Sequence, residues 1–309
     1  MSNVLQPISI AKRENRYRLA IRHVAAYRYS ERVTFGRHRL MFRPRDTHSL
    51  RLLDASLSIQ PAPQHIRWAY DTFGNSVAYA EFGDKQSDVL RIASEISLLV
   101  YGSARPAAML LASAVRYPFS YAPIELPDLK PVLLLQRLDD DGQFESWSRQ
   151  FVERGNGLTL SILSEVVETI RSEFKLCPRE APSAQDPVRT LFLKTGSATD
   201  IAVLMVEALR SLRFAARFVS GYTYSPNYGS DRLDDYTTHV WVQVYLPGCG
   251  WIDLDPTNDA TGNRDLIPVA VVRDHTQAPL LSGSYVGPSA ACIGKTSKVS
   301  VTRSADIDH

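Results

Sequence analysis

The sequence predicts an α+β protein: an N-terminal antiparallel β-sandwich, then a helix packed on a second antiparallel sheet. Three observations carry this. Up to about residue 105, runs of alternating apolar and polar residues are broken by turn signals. From Ala107 to Ala181 apolar residues recur at three- and four-residue steps. The helical pattern of "ATDIAVLMVEALRSL" is then followed by three strand-like segments, an α+β order.

In the first region, "YRLAIRHVAAYRYS", "LRLLDASLSIQP" and "VLRIASEISLLVY" read as strands, and "WAYDTFGNSVAYAEF" as two strands around a turn at Asp71–Asn75. Pro106 ends the pattern. "PAAMLLASAVRYPFSY" and "GLTLSILSEVVETIRSEFKL" read as helices, "RLDDDGQFESW" as a charged surface turn, and "CPREAPSAQDP" as a polar loop. The helix near Ala198 carries Ala202, Met205 and Leu209 along a packing stripe. "FAARFVSGYTYSP", "THVWVQVYLPG" and "CGWIDLDPTND" read as strands. Beyond Val272 the text is polar and small, with room for one edge strand in what otherwise reads as a weakly ordered tail. The expected units are 1–105, 106–272 and 273–309.

The 309 residues, 44% of them hydrophobic, suffice for two domains. A net charge of +2 with 22% charged residues argues against a nucleic-acid partner. Arg37, Arg39, Arg43, Arg45 and Arg51 read as an exposed face. The first residues lack a signal-peptide core, and no stretch approaches a membrane span, so no membrane partner is expected. Cys177, Cys249 and Cys292 are odd in number, without metal or disulfide spacing, which points to a cytoplasmic protein. Asp231, Asp234 and Asp235 lack calcium-loop spacing and read as a solvated loop. No cofactor and no metal are implied.

In "THVWVQVYL", His239, Trp241, Gln243 and Tyr245 share one strand face, and Val240, Val242, Val244 and Leu246 the other. In "WIDLDP", Trp251, Asp253 and Asp255 share a face. If Leu246 faced Trp251, His239 and Asp255 would lie on opposite faces. If Tyr245 faces Trp251, Asp255 lies opposite Trp241 and diagonal to His239, about 7–8 Å away between backbones. The second register also buries the valines with Ile252 and Leu254, and is favoured. A histidine oriented by an aspartate is the base half of a nucleophilic triad, although such a pair can also merely fix strand register. The missing nucleophile belongs at a helix N-terminus, where the dipole lowers its pKa. "GSATD" is such a place, and it offers Ala198.

"TGSATDIAVLMVEALRSLRFAARFVSGY", "HVWVQVYLPGCGW" and "DLDPTND", in this order, resemble the bacterial transglutaminase-like proteins, whose core has a papain-like fold and a Cys-His-Asp triad. "HVAAYRYSERVTFGRHRLMFRPRD" with "DTFGNSV" resembles their preceding β-domain. The resemblance implies the histidine role for His239, the aspartate role for Asp255, and the nucleophile position at Ala198, where the family pattern Cys-x-Asp reads Ala-Thr-Asp. Asp200 keeps the third place and is expected beside the cleft. It implies acyl transfer on glutamine or peptide amides, which a methyl group cannot perform. Ser197 and Thr199 are rotated by about 100° from that aim and read as caps beside the cleft; Trp241 reads as a core residue or cleft wall. Ile201, Arg213, Val240 and Gln243 depart from the family pattern, and Arg213, where glycine is common at the helix end, implies altered or strained geometry. Two readings follow. One is a catalytically defective protein whose cleft binds a polypeptide substrate or protein partner; the other is an active acyltransferase or peptidase carrying an introduced cysteine-to-alanine change. Oligomeric state is left open.

Overall fold

A computed structural model describes residues 16–101, 109–137, 139, 141–178, 183–224, 238–257 and 265–304. Two antiparallel sheets make the N-terminal sandwich. In the first, β1 (Tyr17–Phe35) is central. On one side it pairs with β6 (Gln86–Val100), which pairs onward with β3 (Leu50–Gln60). On its other side lie β14 (Tyr285–Val286) and β15 (Cys292–Ser304). The second sheet runs β13 (Leu281–Ser282), β2 (His38–Leu40), β5 (Ser76–Glu81), β4 (His65–Tyr70). Alternation along β1 and β6 turns Leu19, Ile21, Leu90, Ile92 and Ile96 inward, where they pack with Met41, Val77, Ala80 and Phe82.

The residues beyond Val272 are more ordered than their composition implies. β15 follows β1 from Arg18↔Ser304 to Tyr29↔Cys292, with a bulge at the end. Its polarity has a physical cause: β15 is an edge strand, one face is solvated, and of its side chains Val299 reaches the core.

The second unit begins with α1 (Leu126–Leu133), α2 (Gln143–Arg154) and α3 (Thr159–Glu173). The segment "PAAMLLASAVRYPFSY", expected as a helix, forms no α-helix in its described residues Met109–Tyr121: Met109 and Ala112–Ala114 are in 3-10 turns. Its backbone is engaged elsewhere, Leu111 N–H donating to Pro247 O at 3.1 Å and Tyr117 N–H to Gly157 O at 2.9 Å, while Pro118 has no N–H to give. The charged turn "RLDDDGQFESW" is shorter than expected because Asp139 accepts from Gln143 N and Phe144 N at 2.7 and 3.0 Å and starts α2 inside it.

Then come β7 (Lys175–Leu176), α4 (Pro187–Leu193), β8 (Thr195–Gly196) and α5 (Ala198–Ser211), with β7 and β8 paired in parallel. The last sheet has the order β11 (Gly250–Leu254), β10 (His239–Leu246), β9 (Ala216–Tyr224), β12 (Asp265–Val272), all antiparallel. α5 is more enclosed than an amphipathic stripe requires. Every residue from Asp200 to Arg210 is buried, because α2, α3 and α4 cover the sides that the sheet does not.

Both faces of this sheet are covered. Val242, Val244 and Leu246 pack with α5, while Tyr222, Ile267, Val269 and Ala270 join the core of the sandwich. Asn75 completes the junction as a strand would: its Nδ2 donates to Val271 O and its Oδ1 accepts from Val271 N, both at 2.9 Å. His23 of β1 spans three elements, with Nδ1 3.1 Å from Tyr222 Oη and Nε2 3.0 Å from Ser297 Oγ. Arg39 and Arg45, expected on an exposed face, are half-buried: Arg39 pairs with Asp71 at 3.5 Å, and Arg45 donates to Phe73 O at 2.9 Å.

Burial lowers the pKa of His23 to about 4. The unfolded chain therefore takes up this proton first as pH falls. His23 should leave stability intact above pH ~6.5 and remove about 3 kcal/mol between there and pH ~4. Urea unfolding across pH should show that slope, and His23→Gln should flatten it. Arg213 holds the left-handed turn at the end of α5, with φ of +61°, while Phe214 N–H reaches back to Leu209 O at 3.0 Å. Arg213→Gly should relieve the side-chain clash and raise unfolding stability by about 0.5–1 kcal/mol, read from the denaturation midpoint.

Candidate functional site

The mouth of α5 is built by a capping box. Ser197 Oγ accepts from Asp200 N at 3.2 Å, and Asp200 Oδ2 accepts from Ser197 N at 2.8 Å. Asp200 Oδ1 also accepts from Gln185 N at 2.6 Å, tying the loop before α4 to the helix start. Gly196 permits this closeness, since a Cβ there would lie 2.8 Å from Asp200 Cβ. Asp200 is thus fully buried, an anchor for the turn and not a cleft residue as the sequence reading had it. Ser197 is the cap. Ala198 and Thr199 are half-buried in the first turn.

β10 and β11 pair in the favoured register, Tyr245 opposite Trp251 and Val242 opposite Leu254. Asp255 follows directly, and its Oδ2 lies 2.7 Å from His239 Nε2. The other oxygen, Oδ1, accepts from Thr257 N–H at 3.0 Å and Thr257 Oγ1–H at 3.1 Å, which fixes the carboxylate plane. A carboxylate can only accept, so the neutral imidazole carries its proton on Nε2 and its basic lone pair on Nδ1. Thr257 is a positioning residue the sequence reading missed. The signal was present as a threonine two residues after the aspartate, the spacing of an Asx turn.

Trp241 is buried completely and so is core, not a cleft wall. It packs with Val219 and Val271, and its ring stacks on His239 at 5.8 Å and 17°. Gly221 makes room for it, as a Cβ there would come within 3.0 Å of Trp241 Cη2. Trp241 Nε1–H and Gln243 Nε2–H both donate to Asp253 Oδ1, at 2.6 and 2.8 Å. Gln243 Oε1 in turn accepts from Arg217 Nε and Nη2 at 2.9 and 2.7 Å. Asp253 sits on the edge strand and is exposed as a residue, but its carboxylate is turned inward, and the loss of water there raises its pKa despite the donors around it. Arg217, which lies 3.7 Å over the Trp251 ring, is lowered to about 9 by burial and then by the nearby Arg45 charge. Asp253 and Arg217 were not singled out from the sequence. Alternation marks their face but not their partners.

Topology puts Ala198 and His239 at one end of the β11–β10–β9–β12 sheet. The short link from α5 to β9 makes the helix run back against that strand, so its N-terminus lies where β9 finishes and β10 begins. Beside that end, Ile170, Phe174, Leu176, Ile201, Pro256 and Thr257 line a recess of about 280 Å³. Cys249 is in the turn at the far end of β10, roughly 23 Å along the strand from His239, and burial raises its pKa. Cys177 lies nearer: its N–H donates to Gly196 O at 2.9 Å, beside the strand leading into α5, and its thiol is on an exposed residue. The loop of Asp231, Asp234 and Asp235 and the boundary at Pro106 fall outside the described residues.

Residues 19–98 match the family described as the bacterial transglutaminase-like N-terminal region, and residues 145–256 match the transglutaminase-like superfamily. The chain joins that N-terminal region to a transglutaminase-like core. The uncharacterized protein Rv2569c of Mycobacterium tuberculosis is 28% identical over 86% of this chain and 87% of its own length. The uncharacterized protein ML0607 of Mycobacterium leprae is 34% identical over 31% of this chain and 34% of its own. In fold, the chain is similar to a crystal structure of a proposed cysteine protease from Cytophaga hutchinsonii, with a TM-score of 0.68 and 18% identity over 96% of this chain and 93% of that one. Among the described residues, no helix is long and apolar enough to cross a membrane.

Within the transglutaminase-like core, the back of α5 is held by a buried ion pair. Arg210 Nη1 donates to Glu207 Oε1 at 3.0 Å, and its remaining donors reach Val132 O, Ala216 O and Arg273 O at 2.7–3.1 Å. Glu207 Oε2 accepts from Gln136 N at 2.8 Å and Arg137 N at 3.1 Å. Glu207→Ala leaves the guanidinium buried without its counter-charge. It should cost about 3–5 kcal/mol, seen as a lower thermal midpoint, whereas a change at exposed Arg213 should not.

Proposed function

We propose that this chain is a transglutaminase-like protein that does not perform acyl transfer and uses the end of its core, where α5 and β10 begin, to bind a polypeptide substrate or a protein partner. The observation that carries the reading is the methyl group of Ala198 at the helix mouth, at the end of the sheet where the His239–Asp255 pair is complete. The family's reaction needs a thiolate to attack an amide carbon. Ala198 has no lone pair to offer, and Ser197 spends its hydroxyl on the cap. Ile201, Val240, Gln243 and Arg213 depart from the family pattern as well, as expected where selection for the chemistry has relaxed. Cys177, Cys249 and Cys292 are not joined in disulfides, which fits a reducing compartment such as the cytoplasm.

The completeness of the His239–Asp255 pair favours a second reading, an acyltransferase or peptidase in which alanine replaced the working cysteine. One variant separates the two. Ala198→Cys is treated with iodoacetamide across pH, and labelled cysteines are mapped by mass spectrometry so that Cys177, Cys249 and Cys292 are scored apart. The binding reading expects a thiol at position 198 that titrates near pH ~8.5, like a free cysteine. Fast alkylation near neutral pH, slowed by His239→Ala, would sink that reading in favour of the second.

A further inference from the structure

The outer face of the first sandwich sheet is basic, and the site described above makes no use of it. Alternation along β1 sends Arg22, Val24, Ala26 and Arg28 outward. Pairing sets Arg91 of β6 beside Ala26 and Lys298 of β15 beside Val24. These strands form a trough of about 720 Å³ whose lining includes Arg22, Arg28, Arg91, Lys295 and Lys298 around small residues such as Ala26, Gly294 and Thr296. Glu95, 3.2 Å from Arg22, offsets one of these charges. The whole chain carries only +2, so the trough is a local concentration of cations.

One wall of the trough is β15, which pairs with β1 on one side and, among the described residues, with no strand on the other. We propose that the trough and the open edge of β15 bind an acidic polypeptide segment in extended form. The segment adds to β15 as a further strand and turns alternate carboxylates towards the cations. Two features select a polypeptide. The outward N–H and C=O groups along Cys292–Ser304 repeat at strand spacing, which only another backbone can match. The trough has no aromatic lining residue, so nucleic-acid bases find no stacking platform. Lys295 and Lys298 also discourage a second copy of β15 from pairing there, while favouring an acidic strand. This surface is separate from the α5–β10 end, and the proposal does not depend on the reading of that site.

The test uses the full chain and a fluorescein-labelled twelve-residue peptide alternating glutamate and threonine. Fluorescence anisotropy should show saturable binding. The double charge reversal Arg28→Glu with Lys298→Glu should weaken it by at least about tenfold, while Arg67→Glu, exposed on β4 of the other sheet, should change it by less than about twofold. Hydrogen exchange on the unaltered protein should slow within residues 292–304 when the peptide is bound, a readout that does not depend on how the variants fold. The proposal is overturned if the peptide fails to bind, if the charge reversal leaves binding unchanged, or if exchange in 292–304 is unaffected. Tighter binding of oligothymidylate or phosphatidylserine vesicles than of the peptide would also overturn it.

Discussion

Arg210 is the fastening on which the second unit depends. One guanidinium satisfies carbonyls from the end of α1, the start of β9 and the segment after β12, and its charge is met by Glu207 one turn earlier on α5. Without it, three backbone acceptors would lose this donor and the Glu207 carboxylate would keep only its two backbone donors and no counter-charge, a costly state in an interior. With it, α5 has a fixed axial position against β9 and β10. That fixes where Ala198 stands, since a rigid helix transmits the placement of its last turns to its first. The pair adds order more than net stability, because burial works against both charges.

From that fastening the remaining geometry follows outward. The sheet is clamped between α5 and the sandwich, so residues on both its faces are shielded, and Trp241 can be wholly enclosed while its ring backs His239. The chain Arg217–Gln243–Asp253–Trp241 then spends each polar group on another and holds β11 against β10. Asp255 emerges at the end of this braced pair with one oxygen for Thr257 and one for His239. The imidazole is therefore oriented by a carboxylate, a stacked indole and the strand register together.

Much of this was legible in the sequence where the side-chain period is strict. The valine face of β10 and its alternate with His239 fixed the register against β11, and a one-residue slip would have exposed the valines. The capping role of Ser197 and the left-handed turn at Arg213 were legible because helix ends have chemical signatures. What was not legible depended on distant partners. Residues 109–121 carry helical spacing, yet their backbone bonds run to Pro247, Gly157 and Thr159, which no local pattern reveals. Trp241 was left between core and cleft wall because alternation gives a face without saying what covers it, and here Val219 and Val271 of the same sheet pack against it. An edge strand was allowed for beyond Val272, but the solvated half of β15 hid its length.

The pairing of β15 with β1 has a consequence for how the chain folds as it is made. Arg18 finds its partner on that side in Ser304, so the central strand of the first sheet has β6 but lacks its second neighbour until almost the whole described chain has left the ribosome. During that interval β1 shows one bare side, and contacts of such long sequence separation form slowly. Arg18, Arg22 and Arg28 are exposed along β1, so the waiting strand is not uniformly apolar, and the last described strand closes a sheet that the first one opened.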